Sequence, residues 1–454
     1  MCRPLFAGCG NIQHSRQEYS VQFSVIPQRL QRIRVVGTIV MASVAEPKLL
    51  SFSEARRLVE QYAVKLSPTD PEMLSLLESA GLVLAEDLLA DRDFPPFARS
   101  TRDGFAVRSC DLNSLPAGLR CIGEIKAGAT VEHSAITVKP GEAAEIMTGA
   151  PVPAGADAVV MVEFTEHQGD AVTVQRAVVS GENVVPLGSE ARKGSIMIAR
   201  GTRITHSTVA VAAAIGRPEV AAYRRPRVAI LATGDEVVDI NLLPGANEIR
   251  NSDSYSLAAQ VSAAGGDPVI LPVARDDAGE LALLLRKGLE ADLLLVTGGV
   301  SMGKYDLVEQ VLASFEAHIF FTGVRIQPGK PVVFGEVKSG ERISPFLGLP
   351  GNPVSTMVTF QLFALPMLDA LSGAKPQPLP FAQARLKSQF TTKTGLTRFL
   401  PARLGGTHTQ PEVEVVRWQG SGDLMAVSRS NCYIVVPSDR EQFVAGEAIT
   451  ILLF

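Results

Sequence analysis

From Arg227 onward short apolar runs alternate with helical patterns, and that alternation leaves few folds open. RVAILAT (Arg227–Thr233) reads as a buried strand, Ser254–Ala264 as a helix closed by Gly265–Gly266, and Pro268–Val273 as a strand. Ala278–Glu290 reads as a helix capped by Asp276 or Asp277, and Leu293–Thr297 as a strand leading to a helix at Leu307–Phe315. Val332–Gly335 and Phe346–Leu349 follow as strands and Val354–Leu371 as a helix. Wholly apolar strands separated by helices predict an α/β fold with a doubly wound, mostly parallel sheet. Ligands of such sheets lie beyond the carboxyl ends of the strands.

Those ends carry distinctive loops. Leu293–Asp306 reads LLLVTGGVSMGKYD, a strand that turns through Gly298–Gly299 and reaches Asp306 where a helix begins. Paired glycines allow close backbone approach, and a helix N-terminus favours an anion. Asp235 and Glu236 follow RVAILAT, LGLPGNPVS spans Leu347–Ser355, and PGKP spans Pro328–Pro331. Several rigid Gly/Pro loops within one α/β segment point to one ligand site.

The rest of the 454 residues implies further domains. Residues 1–41 are rich in arginine and read as a disordered extension, with Met41 as a working start. Residues 42–91 and 181–220 read as a discontinuous linker and helical domain, with Ser53 capping a helix over Ser51–Leu66 and a second helical pattern over Pro71–Leu84. Residues 92–180 read as a β-rich domain, 221–373 as the α/β domain, and 374–454 as a C-terminal all-β domain in which Leu424–Val427 is one of the strands.

Composition excludes several classes. The net charge of −4 carries no basic block, which argues against nucleic acid. No run of about 18 apolar residues appears, which argues against a membrane span. The five cysteines form no CxxC pair, which suggests a reduced, cytoplasmic protein. There is no HExxH, and no GxGxxG follows the first strand of the sheet, so a zinc hydrolase and a dinucleotide-dependent oxidoreductase lack support.

Asp103, Glu236 and Asp306 all lie in glycine-containing loops. Carboxylates bind hard divalent cations, which bridge phosphate oxygens. Lys330 and Arg325 supply positive potential, and Thr148, Ser301 and Ser355 supply hydroxyl donors. Carboxylates beside an anion pocket suggest metal-assisted phosphoryl or nucleotidyl chemistry.

The ordered set STRDGFAV (Ser100–Val107), EIMTGAPVP (Glu145–Pro153), LATGDEVV (Leu231–Val238), TGGVSMGKYD (Thr297–Asp306), PGKP and GLPGNPVS closely resembles the molybdopterin molybdotransferase family, MoeA and the gephyrin E domain. The resemblance implies an elongated homodimer whose α/β domain is a molybdopterin-binding module. It implies insertion of molybdate, the substrate, into adenylylated molybdopterin with release of AMP and with Mg2+ or another divalent cation as cofactor. Apo molybdoenzymes and a pterin adenylyltransferase are the implied partners. By motif match Asp103, Thr148, Glu236 and Asp306 take catalytic roles, with Glu236 and Asp306 on the metal. Ser100, Gly298, Gly299, Ser301, Lys330, Pro350, Gly351, Ser355 and Ser421 are matched to substrate binding, Lys330 and Ser421 on the molybdate side.

The chain departs from the family pattern at Arg102, where Met is usual, at Phe105 for Tyr, and at Glu190 for Asp. Asn251–Ser252–Asp253 stands where Asp–Ser/Thr–Asn is common, and Gln327 replaces the first lysine of KPGKP. Arg102 is expected to hold Asp103 ionised. These departures motivate an alternative: a non-catalytic pterin-binding or scaffolding paralogue, or an insertase for another oxyanion such as tungstate.

Overall fold

The computed structural model describes residues 49–128, 136–299 and 307–454. Ser301 and Asp306 fall outside the described residues, as does the 1–41 extension. The first helix, α1 (Phe52–Ala63), is capped by Ser51 rather than Ser53. Glu54 N–H donates to Ser51 Oγ and the Ser51 N–H donates to Glu54 Oε2, at 3.3 and 2.9 Å. This reciprocal box satisfies two orphan donors, and Ser53 lies two positions too late to form it.

The second expected helix is absent. Pro71–Ser75 is a strand, antiparallel to Glu219–Tyr223, which also pairs with Val83–Leu84. Leu74 makes its contacts across this sheet, beside Val220, rather than along a helix face. Nearby, Leu88–Leu89 pairs with Ile196–Ile198, and the helix α2 (His206–Ala214) precedes the Glu219 strand. Chain segments on either side of the β-rich region therefore build one small module.

The β-rich region contains β1 (Gly104–Val107), β2 (Ala117–Ile125), β3 (Glu142–Ile146), β4 (Ala158–Met161), β5 (Thr165–Gln168) and β6 (Ala171–Val174). They form one sheet in the order β5-β6-β2-β3-β1-β4. Strand β1, between β3 and β4, is buried along its whole length.

The α/β domain runs β7 (Arg227–Ala232), α3 (Ser252–Ala263), β8 (Asp267–Ile270), α4 (Ala278–Gly288), β9 (Leu293–Thr297), α5 (Leu307–Ser314), β10 (His318–Phe321), β11 (Ile326–Gln327), β12 (Val333–Ser339), β13 (Arg342–Leu349) and α6 (Pro353–Thr359), which continues through a π-turn (Phe360–Ala364) into α7 (Leu365–Leu371). The sheet order is β8-β7-β9-β13-β12-β10. The β8, β7, β9 and β13 strands are parallel, whereas β12 and β10 join antiparallel at one edge. The tight connection from β12 to β13 can only make a hairpin. Helix N-caps are Asn251 for α3 and Asp277 for α4. Pro353–Leu371 is long and apolar enough to cross a membrane by length and composition, yet 89% of it is buried. Its all-round apolar surface is that of a core helix.

The C-terminal strands β14 (Phe381–Leu386), β15 (Thr397–Gly406), β16 (Pro411–Val415), β17 (Cys432–Val436) and β18 (Ala448–Leu453) close into a barrel, because β15 pairs with both β16 and β17. The expected strand at Leu424–Val427 is instead a short helix, α8 (Leu424–Ser428). Asp423 accepts from the Ala426 N–H at 3.1 Å, and this cap turns the segment helical. The barrel shares a core with the α/β domain, where Phe399 of β15 meets Phe52 of α1 edge-on, with ring centroids 5.3 Å apart. Strand β11 reaches across to pair with β15 in parallel, Ile326 opposite Thr397 and Gln327 opposite Arg398.

Candidate active site

Two clefts meet at the carboxyl ends of the parallel strands. The first, of about 440 Å³, is lined by Glu236, Asp253, Asp276, Thr297, Gly298, Gly299 and Gly351, among others. The second, of about 410 Å³, is lined by Gln327, Lys330, Pro350, Ser355, Trp418 and Ser421, among others. The Pro350–Asn352 turn separates them: Gly351 faces the first, Pro350 and Asn352 the second.

The first cleft is acidic. The Asp276 N–H donates to Asp235 Oδ1 at 3.2 Å. Burial, then the charges of Asp235 and Glu236, raise the Asp276 carboxyl above its ordinary value. Asp277, not Asp276, caps α4 by accepting from the Glu280 N–H at 2.8 Å, which leaves Asp276 available to the cleft. Asp253 is a buried carboxylate in the first turn of α3. Its Oδ2 accepts from Thr297 Oγ1 at 3.0 Å and Thr356 Oγ1 at 3.1 Å, so it ties the end of β9 to the first turn of α6. Burial raises the Asp253 carboxyl despite these donors. Asn251 Oδ1 accepts from the Ser254 N–H at 3.0 Å. The amide therefore caps the helix, and the acid of this Asn–Ser–Asp triplet faces the cleft.

The glycines have a definite steric role. Gly298 has φ +84°, and a Cβ there would meet the Thr233 carbonyl oxygen at 2.5 Å. A Cβ on Gly351 would approach Gly298 Cα at 3.1 Å. The loops after β7, β9 and β13 thus pack backbone against backbone. Thr233 Oγ1, of a residue that lines this cleft, is buried and has no hydrogen-bond partner among the described residues.

The second cleft is cationic and lies between the α/β domain and the barrel. Lys330 is exposed at the end of PGKP. Ser421 is held against the start of α6, since the Val354 N–H donates to its carbonyl at 2.9 Å. Trp418, the single tryptophan of the chain, forms part of the wall.

Asp103 and Thr148 come together, but elsewhere. Pairing of Gly104 with Ile146 sets them side by side at the end of the β-rich sheet. The Thr148 N–H donates to Asp103 Oδ1 at 2.7 Å, and the Thr148 hydrogen bonds hold the exposed Asp103 carboxyl below its ordinary value. Arg102 has no part in this, contrary to expectation. Neither Asp103 nor Thr148 lines either cleft. Ser100 is also different from its expected place at the substrate: it is 0% exposed, and its Oγ donates to the Arg102 carbonyl and accepts from the Arg102 N–H, at 2.6 and 3.2 Å. It shapes the loop that presents Asp103.

Sequence reasoning names Asp276 only as a possible cap of α4 and Asp253 only as a departure from the family pattern, and assigns neither to the site. For Asp276 the signal was available, because two adjacent acids precede α4 and one suffices as its cap.

Fold and site together define an α/β protein whose cleft sets a carboxylate wall and a cationic wall on opposite sides of one turn. Three family models match in order: the MoeA N-terminal region (domain I and II) over residues 50–216, the probable molybdopterin binding domain over 229–370, and the MoeA C-terminal region (domain IV) over 383–454. A Nostoc sp. molybdopterin molybdenumtransferase is 34% identical over 409 residues, covering 85% of this chain and 89% of the relative. The Bacillus subtilis molybdopterin molybdenumtransferase is 32% identical, covering 85% and 90%. The crystal structure of the molybdopterin biosynthesis moeA protein from Pyrococcus horikoshii OT3 superposes with a TM-score of 0.73 at 30% identity, covering 90% of this chain and 100% of that one. The chain belongs to the molybdopterin molybdenumtransferase family.

Proposed function

We propose that this chain inserts molybdate into adenylylated molybdopterin and releases AMP. The observation that carries this reading is the division of one site into an acidic and a cationic cleft by the Pro350–Asn352 turn. Molybdate is a tetrahedral dianion and is drawn to Lys330, with Ser421 and Ser355 at hand on the same walls. The pterin nucleotide lies along the first cleft, against the Gly298–Gly299 backbone and the α3 N-terminus.

The acidic donor set suits Mg2+, a hard cation that takes oxygen ligands from one or two carboxylates together with substrate phosphates. Glu236 and Asp276 would hold it, with burial and then the charges of Asp235 and Glu236, which raise the Asp276 carboxyl, as the supporting observation; Asp306 is a further candidate by motif. Among the described residues no group of three His, Cys, Asp or Glu side chains is placed to hold a metal ion by itself. When bound, the cation neutralises charge on the scissile phosphate. The chain's own residues orient the phosphates and narrow the approach of water.

Asp103 and Thr148 form a pre-set polar pair outside both clefts. In this reading they complete the cleft of a second copy in a homodimer. Apo molybdoenzymes take the product, and a pterin adenylyltransferase supplies the substrate. The test is direct: the full chain with adenylylated molybdopterin, molybdate and Mg2+ releases AMP and reconstitutes an apo molybdoenzyme. Folded protein that releases no AMP under these conditions overturns the reading.

A further inference from the structure

Arg398 is an arginine of the barrel strand β15 that is only 6% exposed. Guanidinium remains charged in proteins, and a buried charge is normally paired with an opposite one. Yet among the described residues Arg398 meets no carboxylate. Its Nε and Nη2 donate to the Lys393 carbonyl at 3.2 and 2.8 Å, and its Nη1 donates to Gln327 Oε1. Backbone register brings this about, because Gln327 of β11 lies directly opposite Arg398 in the parallel pair.

The contact fixes which end of the Gln327 amide faces outward. Its oxygen is held by a cation, so its Nε2 with two N–H donors is directed away from Arg398. Gln327 is exposed and lines the cleft that holds Lys330 and Ser421. Leu396, just ahead of β15 and two residues before Arg398, lines that cleft too. A hydrogen bond from a guanidinium polarises the amide and strengthens its N–H groups as donors.

We infer that Arg398 is a positioning residue of the oxyanion cleft: through Gln327 it supplies the second positive charge beside Lys330, and the Gln327 amide donates to a tetrahedral oxyanion. This rests on the reading of the Lys330 cleft as the molybdate site. The charge that is missing at position 327, just before PGKP, is thereby provided from the other domain.

Trp418 gives a readout independent of turnover, as the chain's one tryptophan in that wall. The full chain is titrated with molybdate while Trp418 emission is followed, with tungstate and sulfate as comparison oxyanions. Wild type is expected to give a saturable change. Arg398→Leu and Gln327→Leu each weaken molybdate binding at least tenfold and raise KM for molybdate with little change in kcat. Gln327→Lys in the Arg398→Leu background returns affinity to within about threefold of wild type, because it restores the cation one strand across (tenfold is about 1.4 kcal/mol). Gln327→Leu alters an exposed side chain and keeps the test decisive should Arg398→Leu fail to fold. Wild-type binding with both leucine variants within twofold of it overturns the inference alone. So does failure of Gln327→Lys to rescue Arg398→Leu. A wild type that releases AMP without any Trp418 response to molybdate overturns the placement of the oxyanion and the inference with it.

Discussion

The acidic and the cationic clefts are built by different means, although one turn joins them. The acidic cleft lies within a single domain, at the ends of β7, β9 and β13, where parallel pairing and close loop packing fix every wall. The cationic cleft lies between two domains: PGKP comes from the α/β domain, while Trp418, Ser421 and the buried Arg398 come from the barrel segment. One cleft concentrates like charges, so that Asp276 is raised by burial and, beyond that, by its acidic neighbours. The other leaves a buried cation without an acid among the described residues. Each is unbalanced in a complementary sense: the first sets three carboxylates, Glu236, Asp253 and Asp276, against one cation, Arg250, and the second sets Lys330 against no acid among its lining residues. A site of this kind gains most from a ligand pair, a cation with its phosphate and an oxyanion.

That contrast predicts separable damage. The largest effect is expected at Glu236→Gln combined with Asp276→Asn: AMP release falls about 100-fold or more, roughly 2.7 kcal/mol in the barrier, while molybdate binding read at Trp418 is retained. Parallel loss of both would erase the distinction between the clefts. Next is Lys330→Ala, which raises KM for molybdate about tenfold with a smaller change in kcat, measured as initial rates of AMP release against molybdate concentration.

Gly298→Ala tests the packing that holds the acidic cleft. Its φ of +84° and the 2.5 Å approach to the Thr233 carbonyl are expected to destabilise the chain by about 2 kcal/mol or more. Gly340→Ala, with φ +62° but open space around its Cβ, should cost less; equal losses in thermal unfolding would show that backbone strain alone, and not loop contact, matters at Gly298.

The smallest effect concerns pH. The folded-state value of Asp253 is raised by burial, so its contribution is present at low pH and is lost as pH rises through that folded value. Asp253→Asn keeps acceptor capacity for Thr297 and Thr356 without a buried charge. It should raise Tm by a few degrees at pH 8, with the difference disappearing toward about pH 4, near the unperturbed aspartate value. A Tm difference independent of pH would contradict this.

How much of this could be read from the chain follows from the range of each interaction. The strand–helix alternation of 227–371 and the TGG and GLPGNPVS turns are local signals, and the residues flanking them do line the clefts. Ser51 and Asp423 show the limit even of local signals: the first helix is capped two residues before the expected Ser53, and Asp423 caps a helix where a strand was expected. Pro71–Ser75 became a strand because its partner, Glu219–Tyr223, lies far along the chain. Gln327 reads as a lost lysine in sequence; only the register of β11 against β15 brings Arg398 to it. Ser100, next to Asp103, shows the reverse error, a motif residue whose hydroxyl serves its own loop.

The division of labour between the clefts is tested most directly by anomalous X-ray scattering at the molybdenum edge, from crystals of the full chain soaked in molybdate with Mg2+. The predicted result is a molybdenum peak beside Lys330, the Gln327 amide and Ser421, present in wild type and lost in Lys330→Ala. A peak beside Glu236 and Asp276, with the Lys330 cleft bare, would contradict the account.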